Sequence, residues 1–233
     1  MKSNLRVNEV SQINDSLFQE AYRIYDQAFP PEEKISSASF TRILESKKQG
    51  RDRHIIVASN NELVIGMAVF SYLQQYNIGF IAYIVIRPEA ANRGNGSSLY
   101  KSILAILTSD AKRQGELGPD AVFSEVEKSE LAETAAQEQI NLRRISFFKS
   151  VGCQIINSKY FQPSLGDGLP SVEMNLMVHL TKPGLKVTRE WLTKKVDLIY
   201  ENVYGMKSGP LIQKKIEYLK CFTSNLPDEK LLI

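Results

Sequence analysis

The stretch IGFIAYIVIRPEAANRGNGSSLYKSILAILTSDAKRQG, residues 78–115, decides the fold. It opens with Ile78, Phe80, Ile81, Ala82, Tyr83, Ile84, Val85 and Ile86, the near-continuous apolar run of a strand covered on both faces. Arg87-Pro88 ends that strand, because proline cannot donate to a ladder and pushes its predecessor out of helical space. From Ser98 onward, Leu99, Ile103, Leu104, Ile106, Leu107 and Ala111 fall on helical spacing.

Between strand and helix lies Arg93-Gly94-Asn95-Gly96-Ser97-Ser98. Two glycines with serines beside them leave backbone N–H groups unobstructed at a helix N-terminus, where unpaired donors and the dipole favour an anion, phosphate above all. The hydroxyls of Ser97 and Ser98 are expected to cap the helix or bind the anion. A tight, serine-capped turn without a ligand is the plain alternative. It must account for one arginine, two glycines and two serines packed together at the C-terminal end of a buried strand.

Dinucleotide-binding turns need a third glycine, and a P-loop needs GK[ST] after its spacer; both are absent. The pattern instead resembles the acyl-CoA turn of the GNAT-type N-acetyltransferases. Ile84-Val85-Ile86-Arg87-Pro88 resembles that family's fourth strand, and Arg93-x-x-Gly96-x-Ser98 its pyrophosphate loop. The departure is Ser98, where the family has glycine or alanine. The resemblance implies an α/β (α+β) fold: a mixed, mostly antiparallel central sheet of about six to seven strands flanked by helices. It also implies acetyl-CoA as co-substrate, with Ile84, Val85, Ile86 and the residues from Arg93 to Ser98 binding it, and no metal.

Composition is ordinary for a globular protein: 233 residues, 43% hydrophobic and 24% charged. A net charge of +3 is too small and too evenly spread to argue for nucleic acid, though it suits a polyanionic cofactor. The lysine pairs Lys47-Lys48, Lys194-Lys195 and Lys214-Lys215 read as solvated helix faces. No apolar run reaches membrane-spanning length, and Met1-Lys2-Ser3-Asn4 does not open a signal peptide. Two cysteines, Cys153 and Cys221, imply no disulfide framework, and a cytoplasmic setting is expected. His54 and His179 lack metal-ligand spacing.

Along the chain, Asn4 to Val10 reads as a first strand, then a helix capped by Ser11 or Asn14 and ending at Phe29-Pro30-Pro31-Glu32-Glu33. Glu33 either sits against the dipole of the next helix, Ser37 to Lys48, or lines the acceptor side as this loop does in the resembled family, with Tyr83 as second acceptor-side candidate. His54 to Ser59 and Leu63 to Leu73 form a hairpin about Asn60-Asn61, with Gly66 marking a bulge or close approach.

Asp120 to Glu127 reads as a fifth strand whose alternation puts Phe123, Glu125 and Glu127 on one face. Burying carboxylates costs free energy unless they are paired or shifted in pKa, so an exposed strand end competes with a functional reading. In the resembled fold the fourth and fifth strands splay around the thioester, which places Glu127, or Glu125, for base work.

Asn141 to Cys153 resembles the family's second hallmark, a helix whose asparagine, here Asn141, contacts the pantetheine arm. The tyrosine that serves there as general acid is Phe148 in this chain. Tyr160, Ser146 and Tyr83 are the replacement candidates, Tyr160 the preferred one. Ser171 to Leu180 reads as the last strand, and Pro183 onward as two amphipathic helices packing on the core or on a sister subunit in a homodimer. The division expected is 1–182 for the acyltransferase domain and 183–233 for a helical extension.

Function follows as direct acetyl transfer to a primary amine of a small molecule, with Glu127 or Glu125 as base, since such amines have pKa near ~10.4. A CoA-binding sensor without catalysis and a protein-directed acetyltransferase are the alternatives.

Overall fold

The computed structural model describes residues 5–48 and 52–233, without the side chains of 46–48. Asn4 and the Lys47-Lys48 side chains therefore lie outside the described residues. The chain falls into two compact units, Met1–Pro119 and Asp120–Ile233. In all it carries eight strands and six α-helices among the described residues, the α+β class expected.

In the first unit, β1 (Leu5–Glu9), β2 (Arg53–Asn60), β3 (Leu63–Leu73) and β4 (Ile78–Ile86) form an antiparallel meander. Asn61 turns the β2–β3 hairpin at φ 56°, a value asparagine tolerates. Helices α1 (Ser16–Ala28) and α2 (Ser37–Lys48) cover one face. The cap of α1 is Asp15 rather than Ser11 or Asn14, its Oδ1 accepting from the Leu17 N–H at 2.8 Å. Phe18, Ala21, Ile24 and Tyr25 pack with Phe40 of α2 and with Ile55, Val57, Met67, Val69 and Tyr83 of the strands. Ile13, just ahead of the helix, is exposed.

Gly66 faces the end of β4, where a Cβ would overlap the Val85 carbonyl oxygen and approach Ile86 Cδ1 to 2.7 Å. The close approach expected at this glycine is therefore real. Gly66→Ala should destabilise the unit by about 1–3 kcal/mol through overpacking, read as a lower denaturant midpoint; an unchanged midpoint would show that the strand end relaxes freely.

The second face of this sheet carries a charge cluster that sequence did not reveal. His54 stacks on Phe70 with ring centroids 4.9 Å apart. Its Nδ1 lies 2.5 Å from Glu9 and its Nε2 2.9 Å from Asp110 of α3 (Asn95–Arg113), whose other oxygen accepts from Arg113 at 2.6 Å. Burial alone would lower the His54 pKa, but the hydrogen bonds and charges of Asp110 and Glu9 outweigh it and hold the pKa above 6.5. The stabilisation is complete below the unfolded value of ~6.5 and is lost as pH rises through the higher folded value. His54→Gln should thus cost more stability near pH 6 than near pH 9, by about 1–3 kcal/mol, compared as denaturant midpoints. An equal cost at both would mean that the imidazole is neutral throughout.

In the second unit, β5 (Ala121–Glu127) pairs antiparallel with β8 (Val172–Leu180). The other edge of β8 is shared by β6 (Gln154–Ile155) and β7 (Tyr160–Gln162), two short strands not anticipated from sequence. Helix α4 (Ala135–Ser150) is capped by Thr134 and ends with Gly152 at φ 95°. The Cys153 N–H reaches Phe148 O and the Gly152 N–H reaches Lys149 O, the paired bonds of a Schellman ending. Helix α5 (Arg189–Asn202) starts at the Thr188 cap, and α6 (Pro210–Asn225) at Gly209-Pro210, the break seen in the sequence. Two of the supposedly solvated lysines are buried. Lys215 pairs with Asp197 (2.8 Å) and Glu201 (2.6 Å), and Lys195 lies over the Trp191 ring.

Candidate active site

In the first unit β4 leads into the glycine turn. Its burial is complete from Ile78 to Ile81 and resumes at Tyr83, but Ile84, Val85 and Ile86 are only partly covered. The expectation of a strand covered to its end fails there. Three apolar side chains half-open to solvent are what a ligand-lined strand end would leave.

A short 3-10 turn, Pro88–Ala90, follows, and Asn92 (φ 59°) and Gly94 (φ 77°) then adopt left-handed backbone. Gly94, not a serine, is the N-cap of α3, and no side chain caps this helix. Ser97 and Ser98 lie inside the first turn, so the expected serine cap is corrected. The Ser98 N–H makes the first intrahelical bond, to Gly94 O at 2.9 Å, which puts the N–H groups of Asn95, Gly96 and Ser97 ahead of it. The buried Asn95 side chain ties the loop by donating to Ala90 O at 2.9 Å. Arg93 is exposed and makes no ion pair among the described residues. A rigid turn, three leading N–H groups and a nearby guanidinium suit a diphosphate.

Glu33 and Tyr83 come together: the Tyr83 hydroxyl donates to the Glu33 backbone carbonyl at 2.7 Å, and both residues are buried. Tyr83 also meets Tyr25 edge-on at 4.9 Å, and burial pushes the Tyr25 pKa up to about 12.

In the second unit the two carboxylates of β5 have different partners. Glu127 is buried and ion-paired with Arg144 of α4. Glu125 gathers three donors, with Tyr160 Oη at 2.5 Å, Gln162 Nε2 at 3.0 Å, and Tyr204 Oη bridging both carboxylate oxygens at 2.6 and 2.5 Å. Tyr160 and Gln162 reach it together because alternate residues of β7 share a face. Burial raises the Glu125 pKa, and the three donors pull against that rise; burial and the neighbouring carboxylate raise Tyr160 well above 10.0. Gln162, Tyr204 and Arg144 escaped sequence reasoning. Only Gln162 had a signal, its spacing of two from Tyr160.

Asn141 is buried with its amide already engaged, donating to Lys128 O (3.2 Å) and accepting from Gln137 (2.9 Å). Phe148 is buried against Phe147. His179 lies beside Gly152, and burial lowers its pKa. Among the described residues no group of three or more His, Cys, Asp or Glu is placed to hold a metal ion.

Residues 16–117 match the family model described as Acetyltransferase (GNAT) family. That segment is similar to the GNAT acetyltransferases. The glycine turn lies inside the matched segment; Glu125, Tyr160 and Tyr204 lie beyond it. A Bacteroides thetaiotaomicron structure assigned to GNAT acetyltransferases aligns at TM-score 0.62 and 19% identity, over 87% of this chain and 99% of that one. A GNAT acetyltransferase from Elizabethkingia anophelis with acetyl-CoA bound aligns at 0.50 and 15%, over 77% and 99%. The spermidine N-acetyltransferase of Vibrio cholerae, in complex with CoA and spermine, aligns at 0.52 and 12%, over 76% and 96%. At these identities the likeness concerns the GNAT fold. No curated protein sequence matches the chain.

Proposed function

We propose that the protein transfers an acetyl group from acetyl-CoA directly to a primary amine of a small cationic molecule, the class to which spermine belongs. The observation that carries this reading is the uncapped N-terminus of α3 behind left-handed Gly94, at the partly open end of β4, within the GNAT segment. The leading N–H groups of Asn95, Gly96 and Ser97 and the Arg93 guanidinium bind the diphosphate. Backbone of Ile84, Val85 and Ile86 receives the pantetheine arm as an added strand would be received, and an N–H near Ile86 polarises the thioester carbonyl. Asn141 and Phe148 shape the path of that arm.

Glu125 is the favoured base. Burial raises its pKa above the ordinary carboxylate value, as a general base needs, whereas the Glu127 carboxylate is ion-paired with Arg144. Tyr160, whose hydroxyl touches Glu125, returns a proton to the departing sulfur in place of the tyrosine missing at Phe148. Glu33 and Tyr83 line the acceptor side. Residues 1–182 form the acyltransferase region and 183–233 the helical extension, in a cytoplasmic protein able to pair as a homodimer.

The test is a panel of small primary amines and lysine peptides with acetyl-CoA, followed by free-thiol release and product mass. Thiol release with small cationic amines supports the reading. Release with peptides alone would make the protein the acceptor. CoA binding without release for any amine would favour a sensor, which Phe148 permits.

A further inference from the structure

We propose that Tyr204, from the segment after α5, is a positioning residue for the transfer reaction, fixing the orientation and basicity of Glu125 through the hydroxyl that bridges its two oxygens. This rests on the amine-acetylation reading above.

Tyr204 is aimed by its surroundings rather than left on a loose loop. The turn after α5 closes with Gly205 at φ 69° and with the Met206 N–H on Tyr200 O at 3.0 Å, and Met206 is buried. One turn earlier, Tyr200 bolts α5 to β7. Its ring stacks flat on Tyr160, centroids 5.5 Å apart and planes 1° apart, and its hydroxyl donates to Phe161 O at 3.0 Å. The titratable groups facing Glu125 are thus Tyr160 from β7, Tyr200 from α5 and Tyr204 beyond it, with Gln162 as a neutral donor.

A carboxylate held by three donors on two sides cannot swing away, so its proton-accepting lone pairs keep one direction. The donors also oppose the effect of burial. Each hydroxyl removed from the carboxylate disfavours its charged form and raises its pKa further.

The chemistry then balances with one proton to spare. Glu125 takes a proton from the substrate ammonium and frees the nitrogen lone pair. The C–N bond to the acyl carbon forms and the thioester C–S bond breaks. Tyr160 passes its proton to the thiolate and is resupplied by the second proton of the attacking nitrogen. Glu125 releases the first proton to solvent, leaving amide, free thiol and one proton. Tyr204 gives up no proton in this cycle. Its hydroxyl stays on Glu125 throughout.

The experiment compares Tyr204→Phe, which keeps the ring, with wild type and with Tyr200→Phe, which loses a tyrosine hydroxyl bound to backbone rather than to Glu125. In Tyr204→Phe the acid limb of the kcat/KM profile should move up by about one pH unit with CoA affinity unchanged. In Tyr200→Phe the limb should stay in place. A second readout needs no turnover: the Glu125 carboxyl, followed by ¹³C NMR and assigned with Glu125→Gln, should titrate at higher pH in Tyr204→Phe. If neither limb nor carboxyl moves, Tyr204 is structural and the inference is overturned. If wild type releases no thiol with any amine, the acetylation reading falls, and with it the catalytic meaning of Tyr204. The carboxyl titration alone would then say whether the tyrosine governs Glu125.

Discussion

Glu125→Gln is expected to lower kcat by about 10²–10⁴-fold, the usual worth of a positioned general base, and to leave the dissociation constant of CoA unchanged. Glutamine keeps the volume and one acceptor oxygen, so Tyr160 and Tyr204 retain a partner, while the group that takes the amine proton is gone. The profile should change in kind as well as height, because the acid limb assigned to this carboxyl disappears. The matched comparison is Glu127→Gln, which leaves Arg144 without its counter-charge. It should act first on stability, by about 1–3 kcal/mol, and little on turnover in the protein that remains folded. Stopped thiol-release assays on both variants decide the matter. If Glu127→Gln proves the slow enzyme and Glu125→Gln the active one, the base is Glu127.

Gly96→Glu should weaken CoA binding by about 10²–10³-fold, measured calorimetrically. The substitution sets a carboxylate in the first turn of α3, where the leading N–H groups would otherwise meet a diphosphate. Like charges ~4 Å apart repel by about 1–4 kcal/mol between bulk water and a partly desolvated surface, and each ~1.4 kcal/mol is tenfold in affinity. The loss of open space at a former glycine adds to this. The fold should survive, because an acidic residue in the first turn favours the helix itself. Undiminished affinity in a well-folded variant would remove the turn as the phosphate site.

How much of this could be read from the chain alone depends on the range of the signal. The hairpin about Asn60-Asn61, the strand to Ile86 and the helix Ser37–Lys48 were legible because apolar periodicity and turn residues act within a few positions. The glycine turn that opens α3 was legible for the same reason, since its glycines sit together in sequence. Strands β6 and β7 were not, for segments of two and three residues complete no readable period. Asp15 was missed as a cap because Ser11 and Asn14 carry the same chemistry nearby, and only backbone geometry chooses among them. Tyr204 and the His54 cluster were out of reach for another reason. Their partners lie 79 and 56 residues away, and nothing local marks a tyrosine that will find a carboxylate or a histidine that will find an aspartate.

The bridge from Tyr204 to Glu125 binds the fates of two distant positions. A phenol there without its carboxylate would lose the acceptor its hydroxyl now bridges, and the carboxylate without the phenol would lose one of its three donors. Drift at either place therefore exposes the other to selection. Relatives that have traded the glutamate for an apolar side chain should have shed the hydroxyl as well, and the tail of the chain becomes a record of which chemistry each lineage kept.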